Sequence, residues 1–225
     1  MNNIMENFIF QNPTKLIFGK GMIAQLAKEI PAGKRVMVTF GGGSVKKNGV
    51  YDQVKKALAG FEVSEFWGIE SNPKIETLRE AIRLGKEKNI DFLLAVGGGS
   101  VIDGTKLISA GLLYEGDAWE LVRKGMCTET VPLAAVLTIP ATGSEMNNGA
   151  VISRKETAEK FAFYSNNPVF SILDPTVTFS LPKWQVACGI ADTFVHVMEQ
   201  YMTAPGQSRL MDRWAEGILL SLIEI

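Results

Sequence analysis

Asp91-Phe-Leu-Leu-Ala-Val-Gly97-Gly-Gly-Ser100-Val-Ile-Asp103 decides how this chain folds. An apolar run too short for a helix stops at three glycines, and a helix-like apolar pattern resumes after Ser100. Such a run reads as a parallel-sheet strand buried on both faces, followed by a tight turn and a helix. The same arrangement stands earlier, where Arg35-Val-Met-Val-Thr-Phe40 leads into Gly41, Gly42, Gly43, Ser44 and Val45. Glycine leaves backbone N–H groups bare, and the free amides at a following helix N-terminus bind anionic oxygens. Any tight strand-to-helix turn favours glycine for packing alone. Two copies at the same structural position favour a ligand, and a nucleotide or dinucleotide is the first to consider.

The 225 residues are 46% hydrophobic and 21% charged, enough to bury a sizeable core and far from disordered compositions. A net charge of −1 with both signs interspersed offers no basic field for nucleic acid and no polybasic patch for a membrane. Small molecules are therefore the expected partners. The opening Met-Asn-Asn-Ile-Met-Glu lacks the basic and apolar regions of a signal peptide, and no apolar stretch approaches the roughly 18 residues a span requires. Cys127 and Cys188 stand alone, as suits a reducing cytoplasm.

Along the chain, strand and helix alternate through the first two-thirds. After the first glycine turn, 51–58 reads as helix, 61–67 as extended, and 75–88 as helix with Leu78, Ile82 and Gly85 on one face. A helix opened at Ser100 continues through 107–113, and 134–139 reads as another strand, with Pro140-Ala-Thr-Gly-Ser-Glu145 as a polar loop at its carboxyl end. The pattern is a doubly wound α/β sheet, in which ligands gather at the carboxyl ends of the strands. The mixed-charge segment 154–160 reads as a solvated turn, unless Lys160 points back at a phosphate or ribose. From Lys183 onward two long helices, 184–202 and 209–225, are separated by Ala204-Pro-Gly206. The expected division is a dinucleotide-binding domain over 1–181 and the start of a helical domain over 182–225.

Asp192 and His196 are four apart, so they share one face of the first late helix. A carboxylate and an imidazole at that spacing can hold one divalent cation, or can pair with each other. Two donors fall short of the three or four a stable site takes, and the pairing reading is the stronger from spacing alone. His196 is the only histidine, and nothing supports a catalytic triad built on it. The first glycine run is not a Gly-x-Gly-x-x-Gly fingerprint, because Lys46 stands where the third glycine belongs. Gly33-Lys34 is not a Walker A ending either, since Arg35 replaces the required Ser or Thr.

Taken in order, Gly-Gly-Gly-Ser-Val-Ile-Asp103, Thr138-Ile-Pro-Ala-Thr-Gly-Ser-Glu145, Leu173-Asp-Pro175 and Gly189-Ile-Ala-Asp-Thr-Phe-Val-His196 resemble the iron-containing (group III) alcohol dehydrogenases. Phe40-Gly-Gly-Gly-Ser-Val-Lys-Lys47 and Ser71-Asn-Pro73 resemble the branch of NADPH-dependent aldehyde reductases and butanol dehydrogenases. The resemblance implies a dehydroquinate-synthase-like fold and hydride transfer between a nicotinamide and an aldehyde or primary alcohol, with Fe2+ or Zn2+ polarising the carbonyl. It implies that Asp192 and His196 are metal ligands. It further implies that Gly98, Gly99 and Ser100 hold the pyrophosphate, with Asn72 and Asp103 near the cofactor. Thr138, Thr142 and Asn147 would line the nicotinamide side, and Lys160 would reach its ribose. NAD-preferring members carry an acidic residue at the end of the first strand, where Gly41, Gly42, Gly43 and Ser44 stand here with Lys46 and Lys47 behind. NADP(H) is therefore favoured over NAD(H).

Members of that family continue into an all-helical domain with two further histidine ligands. Here the last stretch, Gly217-Ile-Leu-Leu-Ser-Leu-Ile-Glu-Ile225, is apolar and uncapped, so the sequence reads as the N-terminal part of such an enzyme. Two other readings stand beside it. A non-catalytic NADPH-binding module would keep the glycine turns alone, and a dehydroquinate-synthase-like enzyme would need basic residues for an anionic substrate, which the Thr142 region lacks. A homodimer is expected if 8–18 forms a strand that pairs across a two-fold axis.

Overall fold

The structure, a computed structural model, describes residues 7, 9–203 and 208–224. The opening hexapeptide, Phe8, the Ala204-Pro-Gly206 connection and Ile225 lie outside them.

Six parallel strands form one sheet. They are β1 (Lys15–Phe18), β2 (Arg35–Phe40), β3 (Glu62–Phe66), β4 (Phe92–Gly97), β5 (Leu133–Leu137) and, after a separate hairpin, β8 (Phe170–Leu173). The order across the sheet is β1-β8-β5-β4-β2-β3, every pairing parallel. The chain leaves β2 towards β3 on one side, then crosses to β4 on the other. The carboxyl ends of β2 and β4 therefore flank the point where strand order reverses, and each runs into one of the glycine turns. The hairpin of β6 (Gly149–Arg154) and β7 (Glu159–Tyr164) is antiparallel and stands apart from the sheet.

The strand residues alternate between two cores, as a sheet covered on both faces requires. On β4, Leu93 and Ala95 join the core under α3 (Ile75–Glu87) and α4 (Gly99–Gly111). Phe92, Leu94 and Val96 join the opposite core, under the short α1 (Leu26–Glu29) and α2 (Val50–Ala57). In α3, Ile75, Leu78, Ala81, Ile82 and Gly85 form the buried stripe, the helical period read from the sequence. The helix α4 is buried nearly all round, which explains its long apolar run.

Three elements differ from the sequence reading. The helix α5 (Ala118–Lys124) was not expected, although its signals are present: Asp117 accepts a bond from the Trp119 N–H at 3.1 Å, and Gly125 ends it at φ 83°. The segment 154–160 is a turn only over 155–158. Arg154 ends β6, while Lys160 lies within β7. Of the expected strand over 8–18, the described residues form one only at Lys15–Phe18, which pairs with β8 of its own chain. Pro13 lacks a ladder donor, and the Asn12 side chain accepts from the Thr14 N–H at 3.0 Å, a local turn that displaces strand pairing.

The motif Leu173-Asp-Pro175 has a structural task. Asp174 accepts bonds from the Thr176 N–H at 3.0 Å and the Gly21 N–H at 2.6 Å, tying the end of β8 to the turn after β1. The two late helices, α6 (Lys183–Thr203) and α7 (Arg209–Ile223), pack on each other, and neither has a fully buried side chain among its described residues.

A Cβ added at Gly85 would lie 2.5 Å from Leu112 Cδ2 and 3.4 Å from Met37 Cε. Gly85→Val should therefore destabilise the chain by about 1–3 kcal/mol through overpacking. Urea unfolding should show a lower midpoint at unchanged slope.

Candidate functional site

The N-terminus of α4 is the centre of the candidate site. Gly98 caps it, its carbonyl accepting from the Val101 and Ile102 N–H groups at 3.0 and 3.2 Å. Both glycines of the turn are required by close approach: a Cβ on Gly98 would meet Ile139 Cγ2, and one on Gly99 would meet Thr142 Oγ1. The amides of Gly99 and Ser100 come before the first helical bond and stand at the sheet's carboxyl edge, as an anion site needs.

Beside this turn, three sequence-predicted residues converge. Ser100 Oγ accepts from the Asn72 N–H at 3.3 Å, and Lys160 Nζ donates to Asn72 Oδ1 at 2.8 Å. Asn72 sits in the left-handed region, φ 54°, which directs its side chain towards Lys160. Lys160 thus reaches in from the hairpin and does not hang in a solvated turn.

Further along α4 lies a cavity of about 340 Å³, its walls including Asp103, Thr142, Ser144, Asn147, Val151 and Tyr164. A larger cavity, about 640 Å³, lies between α2 and the β2–β3 edge, away from the α4 turn. The one beside α4 gathers an aspartate, a threonine, a serine and asparagines among apolar neighbours, the few convergent polar groups that fix a ligand. Asp103 anchors it: Ser144 Oγ donates to Oδ1 at 2.6 Å, and the Val151 N–H donates to Oδ2 at 2.9 Å. Burial raises the Asp103 carboxyl above its ordinary value, opposed by those two bonds and by Lys106. Thr138 stands outside these walls, its N–H held by the Gly97 carbonyl at 3.0 Å. The loop after β5, read as polar from the sequence, is partly buried. It includes a short 3-10 turn, Ser144–Met146, in which Ser144 and Glu145 are buried.

Sequence reasoning missed Lys106, which is fully buried in the middle of α4. Its ammonium has four acceptors within reach for three N–H groups, so that one hydrogen is shared: the Ser144 carbonyl at 2.7 Å, Ser144 Oγ at 2.8 Å, Asn147 Oδ1 at 3.1 Å and the Gly149 carbonyl at 2.7 Å. One signal was available: a lone lysine inside an otherwise apolar helix face seldom goes inside unless it is paired.

The other glycine turn follows β2. Gly43 takes φ 93° and a 3-10 turn, Ser44–Lys46, follows. Gly41 is close-packed, 3.3 Å from the Ile69 carbonyl for an added Cβ, whereas Gly42 opens to free space. Lys46 is not loose: its ammonium lies 4.0 Å above the Trp67 ring, and Trp67 stacks on Phe40 at 4.0 Å.

Asp192 and His196 stand together on α6, Oδ1 to Nε2 3.7 Å, both more than half exposed. One cation with bonds of about 2.1 Å can bridge that gap. The donor set fits the start of a metal site, a carboxylate and an imidazole both free at the surface. Among the described residues, no group of three or more His, Cys, Asp or Glu is arranged to hold an ion.

The family model of iron-containing alcohol dehydrogenase matches residues 13–175. The chain is 54% identical to the NADPH-dependent aldehyde reductase YqhD of Escherichia coli over 98% of its own length and 58% of the relative's. It is 49% identical to a probable NADH-dependent butanol dehydrogenase of Bacillus subtilis, with the same coverage. Its backbone superposes on a solved structure of E. coli YqhD with TM-score 0.88 at 53% identity, covering 97% of this chain and 57% of that one. For NADH-dependent butanol dehydrogenase A of Thermotoga maritima the TM-score is 0.89 at 43% identity, covering 98% and 57%. This chain belongs to the iron-containing alcohol dehydrogenases, on the side of the aldehyde reductases and butanol dehydrogenases. It spans 58% of the length of these relatives.

Burial draws Lys106 down to about 8, with Asp103 and Glu145 acting against it. Between pH 8 and about 10.5 the unfolded chain then binds a proton that the folded chain does not, so this residue's contribution to stability rises with pH. The unfolding free energy of the wild type should therefore rise relative to that of Lys106→Met between pH 7 and pH 10. A fall over that range would show the ammonium to be favoured by burial.

Proposed function

We propose that the chain is the cofactor-binding part of a metal-dependent oxidoreductase, one that transfers hydride between NADP(H) and aldehydes or primary alcohols. The observation that carries the reading is the junction of the bare α4 amides with the cavity walled by Asp103, Thr142 and Asn147, at the sheet's switch point. In this reading Gly98, Gly99 and Ser100 bind the pyrophosphate. Asn72 and Lys160 meet the nicotinamide ribose, and the cavity takes the nicotinamide ring. Thr142 and Asn147 orient the ring so that one face points outward to the substrate. The helical segment from 182 onward is a second domain, and Asp192 and His196 are its metal ligands. Their oxygen and nitrogen donors suit Fe2+ or Zn2+, and such an ion, when bound, supplies the Lewis acid that polarises the carbonyl.

Two features favour a partial site. Asp192 and His196 are both exposed, and no third donor stands near them among the described residues. By itself the chain would then hold cofactor without completing the metal centre. The setting proposed is the cytoplasm; among the described residues no helix is long and apolar enough to cross a membrane. A homodimer through β1 is also proposed, since that strand has no neighbour on its outer edge among the described residues and carries the exposed side chains of Leu16 and Phe18.

The relatives' names include both NADPH- and NADH-dependent enzymes. The choice of NADPH here rests on the carboxylate-free turn at 41–44, with room at Gly42 and the cation of Lys46 beside it. Fluorescence titration should show NADPH binding tighter than NADH by about 1.5–3 kcal/mol, about 10- to 150-fold, for the charge-assisted hydrogen bonds that the 2′-phosphate adds. Gly42→Asp, which meets no steric obstacle, should erase most of that difference. Equal affinity of the wild type for both cofactors would refute the assignment.

A further inference from the structure

Lys106 is a charge in a place that an unbranched apolar side chain of similar volume could fill. It sits at the centre of α4 with no exposed surface, where an unpaired ammonium would be driven to neutrality. All four of its acceptors come from one stretch, 144–149, the loop that walls the cavity. That loop has little ladder pairing of its own: Met146 N–H bonds the Gly143 carbonyl, and Ser144 and Gly149 carbonyls face inward to the lysine. Asn147 is fixed at both ends of its amide, Oδ1 towards Lys106 and the Gly149 N–H, Nδ2 towards the Gly143 carbonyl at 3.0 Å.

Asp103 lies one turn earlier on the same helix and grips the outer ends of the same stretch, Ser144 by its hydroxyl and Val151 by its N–H. Ser144 Oγ joins the two clamps, donating to Asp103 and accepting from Lys106. The charged groups facing the ammonium are Asp103 on α4 and Glu145 on the loop.

We infer that Lys106 is a positioning residue for the nicotinamide half of the cofactor: from inside α4 it holds the 144–149 loop in the shape that walls the cavity, without itself touching the ligand. The inference rests on the NADP(H) reading above, with the cavity as the nicotinamide's place. It predicts a split between the two ends of the cofactor, because the clamp shapes only one end. The 41–44 turn, which faces the adenosine end in that reading, makes no hydrogen bond to Lys106.

The test uses NADPH and adenosine 2′,5′-bisphosphate, a probe that carries the adenosine end and lacks the nicotinamide. Lys106→Met keeps an unbranched side chain of similar volume, one atom shorter, and removes the donors. It should weaken NADPH by about tenfold or more, the worth of about one hydrogen bond that the displaced loop no longer makes to the ligand, while the bisphosphate stays within about twofold of wild type. Ser144→Ala, which deletes one link and spares the buried charge, should weaken NADPH by about threefold and the bisphosphate not at all. It carries the same comparison should the methionine variant fail to fold. The rise in nicotinamide fluorescence on binding should fall in both variants at saturating NADPH. Equal weakening of both probes, or unchanged NADPH binding with unchanged fluorescence, would overturn the inference. Failure of the wild type to bind either probe would instead remove the cofactor reading on which it rests.

Discussion

The backbone at 97–99 approaches the loop after β5 so closely that neither Gly98 nor Gly99 has space for a side chain, and the site is built on that approach. It follows from the burial of β4 on both faces, which places its carboxyl end in the middle of the sheet with β5 directly alongside. The turn must then reverse into α4 within two residues, under the loop that leaves β5. Drawn over α4 in this way, the loop brings Thr142 and Ser144 against the helix, and Asp103 and Lys106 become its anchors. The glycines thus satisfy a packing requirement and, through the same bareness, leave the first α4 amides open to a ligand. The two readings of a glycine turn are one geometry here.

Charge is handled differently in the interior and at the surface. Burial pushes Asp103 up and Lys106 down, each towards its neutral form, and both are held by dense hydrogen bonding to a single loop. Breaking such a network by removing one member leaves carbonyls and hydroxyls without partners, which costs more than any one bond contributes. Asp192 and His196, exposed on α6, are in the opposite position, solvated and 3.7 Å apart. As a simple pair they add little to stability. Under the proposed metal role, they are two ligands held one turn apart.

The fold was legible where one rule governed. The strands at Arg35–Phe40 and Phe92–Gly97 show because burial on both faces leaves an unbroken apolar run, and α3 because Leu78, Ile82 and Gly85 repeat with the helical period. The hairpin was not, because β7 lies largely in solvent and its charged turn gives no period-two pattern strong enough to read. The short strand at Lys15–Phe18 was overextended because Pro13 and the Asn12 turn outweighed the apolar residues before them. In the candidate site, Asp103, Asn72 and Lys160 were singled out through resemblance, and the approach of Asn72 and Lys160 is a product of topology that spacing does not encode. Lys106 was passed over because, in sequence, a lysine in a helix is normally a solvated one. Only the supply of acceptors from 144–149, some forty residues away, makes its burial possible.

At the far end of the switch point, the same reasoning bears on the lysines behind the first glycine turn. Glu65 is a candidate to cancel their charge, but its two oxygens accept from Tyr51 Oη at 2.9 Å and Trp67 Nε1 at 2.8 Å. Lys46 enters no ion pair among the described residues. It rests on the ring that Glu65 orients, so its charge is held in place by a π face and remains unneutralised. A cation fixed in this way beside bare amides attracts a dianion more effectively than a free lysine, since less side-chain entropy is lost on binding. Under the NADPH reading, selectivity for the 2′-phosphate then belongs to the Phe40–Trp67–Lys46 stack as much as to the absence of a carboxylate at Gly41 to Gly43.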